Sequence, residues 1–522
     1  MSRASSWCAA IAVPVVLLAL VVVASQAVVQ DPAKPEAKPS SPAPAADAVQ
    51  EAQAARQVEA TRPEQQLGEH DRSSVFSPQK AQPSSSAFAN QPDAGKMLGF
   101  DFARDPFGAL RPMQTAEEIM KQDIALKPKV MAIQQKLLET RYILTPRTDP
   151  KIVMSRGKPQ PLGPTARLAD GMTFEKLAEY TPDAIRKGGA FPYPSLPHPL
   201  HRTGGQVFPK IQIDMFPRLQ RFDVDFDIPD AFLPEFPPAI FLQSRPELGD
   251  VSRGEVVSIN NFHRLFKDIV TPVQLSGLQF LVTPFPQEEF NPTDDRKSAQ
   301  PSLGVACLDC HINGHTTGQF HLNPDDRPQE RRFRLDTVSL RGVFNQQIHG
   351  SKRSLRSIED FTEFEQRTAY FNGDPIRAMK KGFVQFDRVR ISHMAQMQNM
   401  FDFPPAPKLD PLTGRLKPDV ASESEVRGEK LFHGKAGCVM CHPAPFFLDN
   451  LMHDLKVERF VDEPPLGPIK TFTLRGIKDS PPYLHDGRCL TLEDTVEFFN
   501  LVQQLRLTKD EKADLTAFLR TL

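Results

Sequence analysis

Two short stretches of the chain carry residues able to hold a redox-active metal group: "ACLDCHINGHTTGQFH" at 306 to 321 and "GCVMCHPAPFF" at 437 to 447. Each contains a CxxC pair followed at once by histidine. Four of the six cysteines, Cys307, Cys310, Cys438 and Cys441, fall in these two units, and Cys8 and Cys489 stand alone. A secreted fold stapled by disulfides would spread its pairs along the chain. A four-cysteine zinc site uses thiolates and is indifferent to the next residue, and a thioredoxin-type CxxC belongs beside a βαβ pattern without a duplicated histidine. Histidine fills only 13 of 522 positions, so its recurrence directly after both pairs carries information. Covalent attachment of a c-type haem needs this order: two thiols a helical turn apart for the two vinyl groups, then an imidazole brought under the iron. Cys307 and Cys310 with His311 therefore hold haem one, and Cys438 and Cys441 with His442 hold haem two.

The elements around the two units repeat. "DTVSLRGVFNQQIHGSKRSLRSIEDFTEF" follows the first unit and "KTFTLRGIKDSPPYLHDGRCLTLEDTVEFF" the second, with LRG and ED elements at the same separation and HG or HDG between them. Similar folds are expected around both sites. Ser422 and Glu425 form a capping box opening "SESEVRGEKLFHG", with Val426, Leu431 and Phe432 as its apolar stripe; Thr508 and Glu511 open the last helix, with Leu515, Phe518, Leu519 and Leu522 on one face. Met394, Met397 and Met400 in "SHMAQMQNMF" recur at helical spacing and read as core, although the segment lies between the two sites.

The front of the chain differs. "MSRASSWCAAIAVPVVLLALVVVASQA", residues 1 to 27, has a basic residue, an apolar run and small residues near its end, which suit an export signal. The run is also about long enough to remain as a membrane anchor. Both readings place the rest outside the cytoplasm, in the periplasm. Residues 28 to 95, rich in Pro, Ala, Gln and Ser, read as a disordered tether. Residues 96 to 270 are rich in Pro and Phe, as in "DFDIPDAFLPEFPPAIFLQSRP", which disfavours long helices and predicts an irregular extension. Two mainly α lobes follow, at 271 to 418 and 419 to 522. A formal net charge of -1 gives no general reason to expect nucleic acid as a partner.

"SEVRGEKLFHGKAGCVMCHPAPFFLDNLMHD", "FPPAPKLDPLTG" and "TFTLRGIKDSPPYLHDGRCLTLEDTVEFFN" resemble the bacterial dihaem cytochrome c peroxidase superfamily, which includes the dihaem enzymes that mature methylamine dehydrogenase. The resemblance covers about residues 260 to 522. It implies two mostly helical c-type lobes, an N-terminal haem where peroxide reacts, and a C-terminal haem fed by a small soluble donor, a cytochrome c or a copper protein. Reduction of hydrogen peroxide is the activity it implies first. It also suggests a homodimer and leaves room for a structural calcium ion. A distal histidine after the first CxxCH follows from the resemblance: His321 is favoured as a second iron ligand there, since His315 stands too close to His311 along the chain. For each of these, and for His349, a structural role at a haem propionate competes. The family carries its distal acid in the region of Glu359, Asp360, Glu363, Glu365 and Gln366. Glu365 is the chosen catalytic residue, against the reading that such a run is a solvated helix face.

Two departures stand out. Seven residues after Leu492, where the peroxidases carry a methionine ligand and the maturation enzymes a tyrosine, this chain has Phe499, which has no lone pair for iron. Haem two is then five-coordinate or draws a ligand from elsewhere, Met452 and His453 being nearest, unless those are packing residues. The relay tryptophan often found between the haems is missing as well, because the sole tryptophan is Trp7. Electrons then pass by Tyr370 or directly between haem edges. Cys489 reads as inert core, and His485 as part of a haem environment. A peroxidase or related dihaem oxidase, and a dihaem electron-transfer protein without catalysis, both remain open.

Overall fold

A computed structural model describes residues 116–196, 206–219, 226–284, 305–322, 334–352, 355–365 and 387–522, all within the compact unit Gln82–Leu522. The expected export signal and tether, Gln366 and Tyr370 lie outside the described residues.

The described part is mainly helical, and its helices occur twice in the same order. In the first lobe α2 (Pro272–Leu281) leads to a single turn, α3 (Cys307–Cys310), then to α4 (Ile358–Phe364) and α5 (Arg388–Gln398). In the second lobe α6 (Glu423–His433) precedes the CxxCH unit, followed by α7 (Leu492–Val502) and α8 (Lys509–Leu519). Side chains start each helix at matching places. Thr271 and Gln274 close a reciprocal capping box on α2, as Ser422 and Glu425 do on α6. Ser357 caps α4 by accepting the Asp360 N–H at 3.1 Å, and Thr491 caps α7 by accepting the Asp494 N–H at the same distance. The first and last helices of each lobe cross at a glycine. A Cβ on Gly277 of α2 would collide with the His393 carbonyl of α5, and one on Gly428 of α6 with the Asp514 carbonyl of α8. Backbone meets backbone at both crossings, so neither position admits a side chain.

The region before the lobes is more ordered than an irregular extension. It begins with α1 (Ala116–Arg141), a helix of 26 residues interrupted only by Pro128. The reason is local composition: "AEEIMKQDIALKPKVMAIQQKLLETR" is dominated by Ala, Leu, Lys, Glu and Gln, all strong helix formers, while Pro and Phe crowd further along. A hairpin of β1 (Arg147–Val153) and β2 (Pro159–Leu162) follows. The rest contributes to both cores. Leu138, Tyr142, Phe191, Tyr193 and Phe232 pack with Phe432, Phe447, Phe498 and Phe518 of the second lobe. Ile240, Leu242, Val257, Leu265 and Phe266 pack with Leu308, Met394, Met397 and Phe401 of the first. Burial of this many large apolar side chains, each worth about 1.5–3 kcal/mol, makes the region integral to both lobes.

Short strands tie these parts together. β3 (Gln206–Val207) pairs with β5 (Phe320–Leu322), which pairs with β6 (Arg334–Asp336); β4 (Phe241–Leu242) pairs with β7 (Phe401–Asp402), and β8 (Met452–His453) with β9 (Ile469–Lys470). Among the described residues no helix is long and apolar enough to cross a membrane.

Candidate functional site

The first CxxCH unit is one helical turn held from outside. The Asp309 carboxylate accepts the Ala306 N–H at 2.7 Å and receives both guanidinium nitrogens of Arg218 at 2.7 Å. Gln212 donates to the Asp309 carbonyl at 2.6 Å. Beyond the unit, Asn313 sits at φ 52° and bonds to the Pro238 and Glu255 carbonyls and the Val257 N–H. The first turn is thus clamped by residues of the region before the lobes.

The two proximal histidines have the same second partner. His311 Nδ1 lies 2.8 Å from the Val338 carbonyl oxygen, and His442 Nδ1 lies 2.8 Å from the Phe447 carbonyl oxygen. A carbonyl only accepts, so in both rings Nδ1 carries the proton and the neutral tautomer puts its lone pair on Nε2. Burial lowers the His442 pKa and favours that neutral form. Imidazoles that bind metals are typically oriented in this way by a backbone acceptor. The thiols are paired to no other cysteine. Burial pushes Cys307 and Cys438 each up to about 12, the charges of Glu365 and Asp309 adding to the effect at Cys307. Two thiols on one turn beside a correctly tautomerised imidazole fit a covalently attached haem in both lobes.

Other sequence-selected residues fall as follows. Glu365 ends α4 within electrostatic reach of the Cys307 thiol. Its neighbours Asp360 and Glu363 turn toward Arg388 of α5, Glu363 at 2.8 Å. The acidic run therefore divides between the first CxxCH unit and an exposed ion pair. His321 lies in β5, opposite Gln206 and Leu335. His315 is fully committed to structure: Nδ1 lies 2.7 Å from Ser339 Oγ and Nε2 3.0 Å from the Asp479 carbonyl, and burial pushes its pKa down to about 3. His453 Nε2 is held by Asp449 Oδ2 at 2.6 Å, and Met452 pairs with Lys470 in β8 and β9. Cys489 is completely buried in the second core, and burial raises its thiol far above the usual range. Met394 and Met397 are fully buried and Met400 nearly so, all in the first core. Phe499 is half-buried on α7, where all others but Glu493 are buried, and stands edge-on to Phe498 at 5.4 Å. The Cys441, Asp449 and His453 cluster offers a thiol, one carboxylate and an imidazole, whereas calcium takes about 6–8 oxygens.

Sequence reasoning missed the clamp on Asp309 and the buried lysine Lys470. A signal for the two helix crossings was present: capping residue, Gln or Glu three later, Gly six later, in both "TPVQLSG" and "SESEVRG". Arg218 and Lys470 left none, since a single cation far along the chain does not show what it meets.

No family model matches the chain. Among curated proteins, the cytochrome-c peroxidase IdrP1 of Pseudomonas sp. (strain SCT) is 29% identical over 150 residues, covering 19% of this chain and 40% of that protein. The methylamine utilization protein MauG of Methylorubrum extorquens is 31% identical over 118 residues, 18% of this chain and 33% of its own. The cytochrome c551 peroxidase of Nitrosomonas europaea is 34% identical over 116 residues, 19% and 34% respectively. The chain thus spans two fifths or less of the length of these curated relatives. These matches support a place in the dihaem cytochrome c peroxidase superfamily. Among solved structures, a MauG-like protein associated with microbial copper homeostasis aligns with 49% of this chain and 90% of its own at 18% identity and a TM-score of 0.33.

Proposed function

We propose that the chain is an exported, periplasmic dihaem c-type oxidoreductase that reduces hydrogen peroxide with electrons from a small cytochrome c or copper protein. The observation that carries this reading is the duplicated proximal arrangement, in which each CxxCH histidine gives its Nδ1–H to a backbone carbonyl inside the same helical frame. Two attached haems would supply one-electron storage and transfer; peroxide, two protons and two electrons give two waters. Cys307, Cys310, Cys438 and Cys441 would hold the haems through thioethers, and His311 and His442 would be their proximal iron ligands. His321 is the proposed distal histidine of the first lobe. Glu365, beside the first unit, moves a proton between the peroxide oxygens, which positioned acids speed by about 10²–10⁴. Residues 271 to 418 and 419 to 522 form the two haem domains, and two chains pair as a homodimer.

The test is a pyridine haemochrome count on denatured protein, followed by peroxide-dependent oxidation of a reduced cytochrome. Two haems per chain, falling to one in Cys438→Ala/Cys441→Ala, with turnover of peroxide, are the expected results. No haem, with zinc in its place, would end this reading. A second reading, a dihaem oxidase of another substrate, draws on the half-buried Phe499, which leaves the second iron without the family's usual ligand. Oxygen-dependent turnover without peroxide would favour it.

A further inference from the structure

Lys470 is a buried cation without a counter-charge among the described residues. It ends β9 in the second lobe, is 3% exposed, and gives its backbone N–H to Ser351 of the first lobe at 2.9 Å. Its Nζ donates to Gln346 Oε1, also of the first lobe, and stands 4.9 Å from the centre of the Phe472 ring. Burial pulls the amine down to about 7, with no carboxylate among the described residues holding it up. An ammonium taken out of water without a partner costs several kcal/mol, which is why buried charges are nearly always paired.

The surroundings hold little to balance it, Asp360 acting on the neighbouring His349 and not on Lys470. His349, 7% exposed on the same first-lobe loop, is pushed down to about 4 by burial and by Lys470. Asn345 Nδ2 is buried with no hydrogen-bond partner, while the Asn345 carbonyl accepts from Asn450 of the second lobe at 3.2 Å. The Lys470 strand also leads directly to Phe472, whose carbonyl lies beside the His442 ring. An ammonium and an orphaned amide N–H thus gather where the lobes meet, next to a candidate iron ligand.

We infer that this junction is a carboxylate-binding site in which Lys470 pairs with a haem propionate, Gln346 aims the amine, and Asn345 adds a second donor. The inference rests on the haem reading above. It makes Lys470 a positioning residue that also sets a potential. A cation beside a propionate favours the reduced, less positive iron, so its removal favours the oxidised form.

The experiment compares wild type, Lys470→Met and Lys470→Arg by haemochrome count, redox titration with optical detection, and the propionate bending bands in resonance Raman spectra. Both variants should keep two haems; Lys470→Met should lower the midpoint potential of one haem and move its propionate band, and Lys470→Arg should stay near wild type. Single-haem chains, Cys307→Ala/Cys310→Ala and Cys438→Ala/Cys441→Ala, tell which haem supplies the propionate, because only one will respond to Lys470→Met. Should Lys470→Met not fold, Asn345→Leu carries the test through the same Raman band. Two haems with unchanged potentials and bands would overturn the inference and leave the haem reading intact; absence of haem in wild type would overturn both.

Discussion

The two lobes share a frame and differ in what surrounds the third helix of each. In the first, α4 leaves Asp360 and Glu363 to an exposed arginine and ends on Glu365 beside Cys307. In the second, the aspartate at the same cap position is sealed in: Asp494 accepts the Thr165 N–H at 2.7 Å, the Thr165 hydroxyl at 2.6 Å and the Ala166 N–H at 3.1 Å. Nearby, Arg488 binds Asp486 at 2.7 Å and Glu463 at 3.1 Å, and reaches the Tyr193 carbonyl at 3.0 Å. The same sequence device thus carries a half-buried aspartate near an exposed arginine in one copy and a fully buried structural anchor in the other. The difference teaches that the region before the lobes holds the two copies at different places: at the CxxCH turn in the first, through Arg218 and Asp309, and at the cap aspartate in the second, through Thr165 and Asp494.

The largest effect expected from this contrast is on turnover. Glu365→Gln should lower peroxide reduction by about 10²-fold or more with haem content unchanged, whereas Asp494→Asn should leave the rate per folded molecule alone. Equal losses in both variants would abolish the distinction. Next comes Phe499→Met. A thioether on α7 should turn the second haem toward a low-spin form with a raised potential; optical spectra during redox titration report it, and no change would mean that this position does not face the iron.

Stability should divide the lobes in the opposite sense. Asp494→Ala strands two backbone N–H groups in a buried site and should cost about 1–3 kcal/mol in urea unfolding, while Asp360→Ala, whose carboxylate is 44% exposed and 4.0 Å from Arg388, should cost less than about 1 kcal/mol. Comparable losses would mean that the two caps are not different in kind. The smallest effect concerns pH. His315 is held near 3, below its unfolded value of 6.5, so the unfolded chain binds the extra proton between these values. Its contribution is complete above pH 6.5 and is lost as pH falls toward 3, and His315→Gln should flatten the acid limb of the stability curve there.

Much of the chemistry was legible because it is local. Cysteine and histidine spacing marks two stretches whose histidines the structure orients alike, and Ser422 with Glu425 and Thr508 with Glu511 form the capping boxes that their side chains suggest. What escaped depends on distant partners. Nothing around Arg218 reveals that it will grip Asp309, 91 residues later, and nothing around Asp494 reveals Thr165. The helix α1 escaped for another reason, since Pro and Phe further along were allowed to speak for a segment whose own residues favour helix.

The glycines of the two LRG elements lean on adjacent residues. A Cβ on Gly342 would run into the Phe403 ring and one on Gly476 into Pro404, while the Arg475 guanidinium lies 5.4 Å from the Phe403 ring centre and donates to the Pro404 carbonyl at 3.1 Å. Phe403 and Pro404 therefore act as a gauge block between the duplicated halves. Electron tunnelling decays steeply with distance, so under the proposed dihaem function a spacer gripped by both copies would set the gap that electrons cross. A side chain added at either glycine would press on this spacer, so neither half can shift against Phe403 and Pro404 without disturbing the other.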